Sequence, residues 1–360
     1  MHSFAVGHNV SGCDLPHSFP CPVTHHICSR DDTLMRIEAQ AMPHVAPSRR
    51  WACPSAILVA TNLNDLDHLV PFAIMYARAS SARLILLHVL SSSGRVAVDA
   101  AGMPYYDPSL AVDFAVKTLE PWRAMAHREN LTCDLLVREG SPSRQVADAV
   151  RQFNIDCVFL GTRSRSKVSK LLIGSVAEQV LRSVNLPVIT VGPEARLEVG
   201  STDRKEVVLH ATTLRETSSP SAALAYQIAA IQKRKLVLLH VLPPVDEMVR
   251  DGLPTGLDST ATQELRILAE EVGALAPAPQ AEVELHVAHG NPSIEILAAS
   301  VEMHASLIVL GATQRPALQS LTRDRTVYRV LAHARCPVLT LRDPLGVATA
   351  DDFEELTSHL

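Results

Sequence analysis

Unbroken apolar runs punctuate the chain at Ala56–Ala60, Arg83–Val89, Asp134–Arg138, Asp156–Leu160 and Val188–Val191. None alternates polar with apolar positions, so each reads as a strand buried on both faces. Between the runs the apolar positions take a helical period: Ala115, Leu119, Trp122 and Ala126; Val146, Ala149, Val150 and Phe153; and Ala177, Val180, Leu181 and Val184. Strand alternating with helix predicts an α/β fold, a parallel sheet covered by helices on both faces and wound by right-handed crossovers.

The pattern then occurs a second time. Gly140-Ser-Pro-Ser143 lies over Gly290-Asn-Pro-Ser293, Leu160-Gly161 over Leu310-Gly311, Val180-Leu181 over Val330-Leu331, and Pro187-Val188 over Pro337-Val338, all at one spacing. Upstream, Ile57–Asn62 matches Val208–Thr213, and Leu86-Leu-His-Val-Leu90 matches Leu238-Leu-His-Val-Leu242. The helical faces recur at Leu265, Leu268, Ala269 and Val272, and at Val327, Val330, Leu331 and Ala334. A unit this long is a domain rather than a solenoid repeat, so the chain is read as a tandem duplication. The expected organisation is a leader over 1–50, domains over 51–195 and 203–343, and a tail over 344–360. The leader is rich in Pro, His, Ser and Cys without sustained periodicity.

Composition narrows the function. With 360 residues, 47% hydrophobic, the chain can bury two cores, and a net charge of −5 lacks the positive field that nucleic-acid binding needs. No apolar run approaches the ~20 residues of a membrane span and no secretory signal opens the chain, so a cytoplasmic protein that engages no membrane is expected. Seven cysteines without a Cys-x-x-Cys pair fit reduced thiols. Those of the leader, with His17, His25 and His26, match no compact zinc spacing. Cys157 and Cys336 read as core thiols, and His88 and His240 as strand histidines hydrogen-bonded within their own copies.

In an open parallel sheet, ligands bind beyond the carboxyl ends of the strands where strand order reverses. There the first copy reads Gly161-Thr-Arg-Ser-Arg-Ser-Lys-Val-Ser-Lys-Leu-Leu-Ile-Gly174-Ser175, followed by a helical face. Gly161 is read as allowing a sharp exit from the strand. Gly174-Ser175 leaves backbone donors free at a helix N-terminus, a natural anion site. Arg163, Arg165, Lys167 and Lys170 add positive charge. The loop is not a Walker A motif, nor is a Gly-x-Gly-x-x-Gly dinucleotide fingerprint present.

These residues resemble the Gly-x2-Gly-x9-Gly-Ser/Thr nucleotide loop of universal stress proteins, over about 55 to 342. Ser164 stands where the second glycine of that pattern would be, and Asn62 where the acid ending the first strand usually is. The resemblance implies two doubly wound, open, five-stranded parallel sheets, Rossmann-like, whose fifth strands, Pro187–Val191 and Pro337–Leu341, meet as an intramolecular pair. It also implies ATP as the ligand, with or without Mg²⁺, in a first-copy site lined by Ala60, Asn62, Val89, Gly161, Arg163, Ser164, Gly174, Ser175 and Val176. In the second copy Asp324-Arg325 replaces Gly174-Ser175 and Thr213 replaces the first-strand acid, so nucleotide binding is expected in the first copy alone.

The leading function is an adenine-nucleotide-binding stress sensor or regulator rather than a turnover enzyme, with a protein partner downstream and a possible homodimer. The alternative is a nucleotide-free interaction protein in which both loops are structural. An ATP-using transferase would need a His-x-Gly-His or Ser-Gly-Gly-x-Asp run, and neither occurs.

Overall fold

The computed structural model describes residues 49–90, 96–98, 104–106, 108–162, 174–197, 206–214, 219–244, 256–276, 279–313 and 325–343. All of them fall in one compact unit, Pro43–Leu360. The first copy runs α1 (Arg49–Ala52), β1 (Ala56–Thr61), α2 (Leu66–Ser80), β2 (Arg83–Leu90), a hairpin of β3 (Val96–Val98) and β4 (Pro104–Tyr106), α3 (Pro108–Arg128), β5 (Cys133–Glu139), α4 (Pro142–Gln152), β6 (Cys157–Gly161), α5 (Ser175–Ser183) and β7 (Val188–Val191). The second runs β8 (Val207–Thr212), α6 (Ser219–Ile231), β9 (Lys235–Leu242), α7 (Leu257–Leu275), β10 (Val283–His289), α8 (Pro292–Glu302), β11 (Ala305–Thr313), α9 (Arg325–His333) and β12 (Val338–Asp343).

Ten strands make one continuous sheet in the order β10-β9-β8-β11-β12-β7-β6-β1-β2-β5, and β3 and β4 pair apart from it. Within this sheet every pairing inside a copy is parallel, and in each copy the first of its five strands lies between the second and the fourth. That is where strand order reverses. β1 and β8 share one burial pattern along their lengths, as do β2 and β9. The duplication read from sequence is therefore a duplication of the core. Two apolar layers sandwich the sheet, one built under α2, α3, α6 and α7, the other under α4, α5, α8 and α9.

The copies meet at β7 and β12, which pair antiparallel with Ile189 opposite Leu339. Two otherwise open apolar edges, each a template for aggregation, thereby close on each other. The seam is symmetric: the Thr190 hydroxyl donates to the Val338 carbonyl and the Thr340 hydroxyl to the Val188 carbonyl, both at 3.2 Å. Gly192 follows β7 so closely against α9 that a Cβ there would sit 2.6 Å from the Leu331 carbonyl oxygen. On the α5 side Tyr328 donates to Glu178 at 3.3 Å, and beyond the strand ends His333 pairs with Glu194 at 3.0 Å.

Three local features differ from the sequence expectation. Arg49 and Arg50, assigned to the leader, belong to α1, where Arg50 pairs with Asp156 at 3.0 Å and Ala52 is buried. Helices α2 and α6, opening the two copies, had no amphipathic signature: α2 carries Pro71 inside it, and Ser221 through Ala230 of α6 are all buried, which erases any stripe. The β3–β4 hairpin was likewise not anticipated.

Candidate functional site

The site of the first copy is built where β1, β2 and β6 end side by side, with Ala60 opposite Leu160 in one ladder and Thr61 opposite His88 in the other. After Thr61 the chain turns sharply, with Leu63 at φ 69°. Short hydrogen bonds hold this turn. The Leu63 N–H donates to the Thr61 hydroxyl oxygen at 2.9 Å, and the Asn64 N–H donates to the Asn62 side-chain oxygen at 2.8 Å. Because that N–H can only donate, the oxygen of Asn62 is engaged in its own turn, and the exposed amide nitrogen is what the residue offers a ligand. His88 meets the Thr61 carbonyl through Nδ1 at 3.0 Å, and His240 meets the Thr212 carbonyl at 2.9 Å. Both histidines are thus strand residues bonded within their own copies, as read from sequence.

One residue at the strand ends was missed. Asp65 precedes α2 and is buried, yet its carboxylate does not cap the helix; the Thr61 hydroxyl donates to it at 2.5 Å. Burial pushes its pKa above the usual carboxylate range. Its other oxygen lies 2.2 Å from where a Cβ on Gly161 would be. Gly161 is therefore required by this close approach, and it is absent from the residues at positive φ, so the role first given it, freedom to turn, is corrected. A Thr-x3-Asp spacing ahead of an apolar segment was the available signal, and it reads most simply as a helix cap.

The chain leaves β6 at Gly161 and Thr162, whose N–H donates to the Val191 carbonyl at 3.2 Å, and re-enters as α5 after Gly174. Gly174 takes the N-cap position with φ −56° and ψ 142°, a backbone open to any residue, and nothing lies within 4 Å of its missing Cβ. Ser175 and Val176 are exposed, Ala60, Val89 and Gly161 half-buried. The first turn of α5 brings backbone N–H groups that no intrahelical carbonyl can reach. Arg163 and Ser164, with Arg165, Lys167 and Lys170, lie outside the described residues. Among the described residues no group of three His, Cys, Asp or Glu side chains converges as a metal site, and no helix is long and apolar enough to cross a membrane.

The second copy repeats the turn but not the exit. Leu214 takes φ 56°, and its N–H donates to the Thr212 hydroxyl oxygen at 3.0 Å, as in the first copy. Past Gly311, however, β11 continues, Ala312 pairing with Arg342 and Thr313 with Asp343. Ala312 is thus held in the sheet at the position where, in the first copy, Thr162 has already left β6. Asp324 lies outside the described residues.

Comparison with known proteins agrees with this architecture. The model of the universal stress protein family matches residues 55–192 and again 206–342. A universal stress protein of Methanocaldococcus jannaschii is 24% identical over 136 residues, 38% of this chain and 80% of that protein. One from Methanothermobacter thermautotrophicus is 28% identical over 136 residues, 35% of this chain and 86% of its own. Among solved structures, a universal stress protein of Archaeoglobus fulgidus superposes with a TM-score of 0.57 at 19% identity, covering 81% of this chain and 99% of that one. A Pseudomonas aeruginosa protein described as functionally unknown gives 0.55 at 18% identity, covering 87% and 100%. These structures share the whole two-copy fold. With its family pattern met twice in succession, each time on a complete five-stranded unit, the chain belongs to the universal stress protein family as a tandem pair.

Proposed function

We propose that the first copy binds one adenine nucleotide, with ATP as the expected ligand, and that the protein senses or relays a stress state through that occupancy in the cytoplasm rather than by turnover. The observation that carries this reading is the start of α5, where nothing lies within 4 Å of the missing Cβ of Gly174 and the first-turn N–H groups have no intrahelical acceptor. A phosphate there gains hydrogen bonds and the favourable end of the helix dipole, about 0.3–2 kcal/mol for the dipole alone. The half-buried ends of β1 and β2 at Ala60 and Val89 flank the adenine, Asn62 donates from its amide, and Arg163 and Ser164 are the residues the family pattern assigns to the phosphates. Mg²⁺ arrives with the triphosphate. The extended β11 of the second copy supports a single site per chain.

Calorimetric titration with ATP, ADP and AMP, together with identification of any nucleotide released on denaturing fresh protein, tests the proposal. One site per chain is expected, and two equivalent sites or none overturns it. Two observations favour the alternative of a nucleotide-free interaction protein: the Asn62 oxygen is spent on its own turn, and a buried carboxylate, Asp65, stands at the end of β1. Absence of binding by all three nucleotides would select that reading.

A further inference from the structure

The seam between β7 and β12 closes one edge of each copy, and the other edge of each stays open: β5 ends the sheet on one side and β10 on the other. An open edge offers a row of unpaired backbone groups to any chain that can match it. On β5 the apolar residues Leu135, Leu136 and Val137 are only half-buried.

The ladder to β2 fixes which backbone groups are free. The Leu84 N–H donates to the Thr132 carbonyl and the Gly140 N–H to the Leu90 carbonyl, with Leu84 opposite Cys133 and Leu90 opposite Glu139. In a parallel pair this register spends the N–H and C=O of Asp134, Leu136 and Arg138 on β2 and turns those of Leu135 and Val137 outward. An antiparallel partner bonds to the outward residues. A β5 strand can therefore pair with the β5 of a second molecule about a two-fold axis at Leu136. Leu135 of each molecule then exchanges hydrogen bonds with Val137 of the other, and Leu136 meets Leu136.

The same register matches the charges. Asp134 comes to lie opposite Arg138 of the second molecule, twice over by symmetry, in the class of pair whose side chains stand closest. Charges on an edge ordinarily guard it against pairing, but these two flank Leu136 at equal spacing with opposite sign, so they attract across the axis. Neither has an ion-pair partner among the described residues. Asp134 is exposed, while Arg138 donates to the neutral side chains of Gln145, at 3.4 Å, and Gln152, and lies over the Phe153 ring. On that face α4 packs against β1, β2 and α5 rather than along the β5 edge. The β10 edge offers no such match: pairing about its middle residue would set His286 against His286, and Glu284, already held by Lys235 at 3.0 Å, against Ala288.

We propose that β5 is a self-association surface, through which two molecules of this chain pair antiparallel about Leu136 and join their two ten-stranded sheets into one.

Sedimentation velocity on the full chain from about 1 to 100 µM tests this, with a reversible monomer–dimer equilibrium expected in that range. Val137→Pro removes an N–H that makes no ladder bond within the chain, at an edge position where proline is tolerated. It should weaken the dimer at least about tenfold while the melting temperature stays within a few degrees of the parent's. Asp134→Arg should weaken the dimer comparably by setting like charges together, and adding Arg138→Asp to it should restore the affinity to within about threefold. A chain still monomeric at about 100 µM, or a dimer indifferent to both Val137→Pro and Asp134→Arg, overturns the proposal. So does growth beyond the dimer, which pairing of β5 with β10 would give, or a double variant that melts as the parent does yet recovers no affinity.

Discussion

Replacing His210 by valine should flatten the acid side of this protein's stability profile. His210 sits in β8 on the face packed by α6, fully buried, where the first copy places Val59 in β1. Its Nδ1 meets the Val309 carbonyl at 3.0 Å, so Nδ1 carries the proton and Nε2 is left a bare acceptor with no partner among the described residues. Protonation would create a charged, unsatisfied donor in the core. Burial accordingly pushes the pKa from the ordinary 6.5 down to about 4. The sign follows from the depressed basicity of the folded state: the unfolded chain takes up the proton first, so stability is complete above pH 6.5 and is lost as pH falls from there toward 4. Below 4 both states are protonated and this loss stops growing. The gap, at 1.36 kcal/mol per pH unit, amounts to about 3 kcal/mol in full, of which about 2 kcal/mol is already lost at pH 5.

The assay is urea denaturation of the unmodified chain and of His210→Val at pH 7 and pH 5. Carboxylates and other histidines titrate alike in both proteins and cancel in the difference. Valine forfeits the bond to Val309 but also removes the orphan nitrogen, so at pH 7 the two should lie within about 2 kcal/mol of each other. Between pH 7 and pH 5 the unmodified chain should lose about 2 kcal/mol more than the variant. Equal losses would refute the argument, for they would mean that His210 is hydrated or partnered in solution.

Four further outcomes follow from the same geometry. Gly174→Asp should fold normally, since its Cβ enters open space, yet weaken ATP by at least about tenfold in calorimetry by setting a carboxylate where a phosphate belongs; unchanged affinity would move the site elsewhere. Gly161→Ala should cost about 1–3 kcal/mol in denaturation because its Cβ lands on the Asp65 carboxylate, and the cost should be non-additive with Asp65→Ser; strict additivity would show that the two do not touch. Gly192→Ala should lower the melting temperature by driving a Cβ against the Leu331 carbonyl at the seam, and a melting temperature equal to the parent's would contradict the tight seam described. Deleting residues 1–48 should leave melting within a few degrees, whereas extending the cut through Ala52 should lower it by removing the Arg50–Asp156 pair and a buried alanine; equal melting of the two truncations would deny α1 its structural role.

Much of the architecture was legible because burial repeats. Runs such as Leu84–Leu87 and Val158–Leu160 are apolar throughout since helices cover both faces of their strands, and their recurrence in Leu236–Leu239 and Ile308–Leu310 carries the same packing into the second copy. The apolar fifth strands announced an edge that had to be covered. Helices α2 and α6 were not legible for the opposite reason: a stripe shows only when one side of a helix meets water, and α6 meets almost none.

The sequence by itself determined the duplication and the parallel sheets, because these rest on hydrophobic period and on its repetition along the chain. Tertiary structure alone decided the side-chain roles in the core and at the strand ends where the sheet order reverses. Asp65 turns from capping α2 to stand against Gly161, Asn62 spends its oxygen on its own turn, and His210 bonds the Val309 carbonyl beneath α6 while its Nε2 meets no partner among the described residues. Each of these depends on atoms brought together from different strands and helices, and a local pattern of polar and apolar residues carries no record of which atoms those will be.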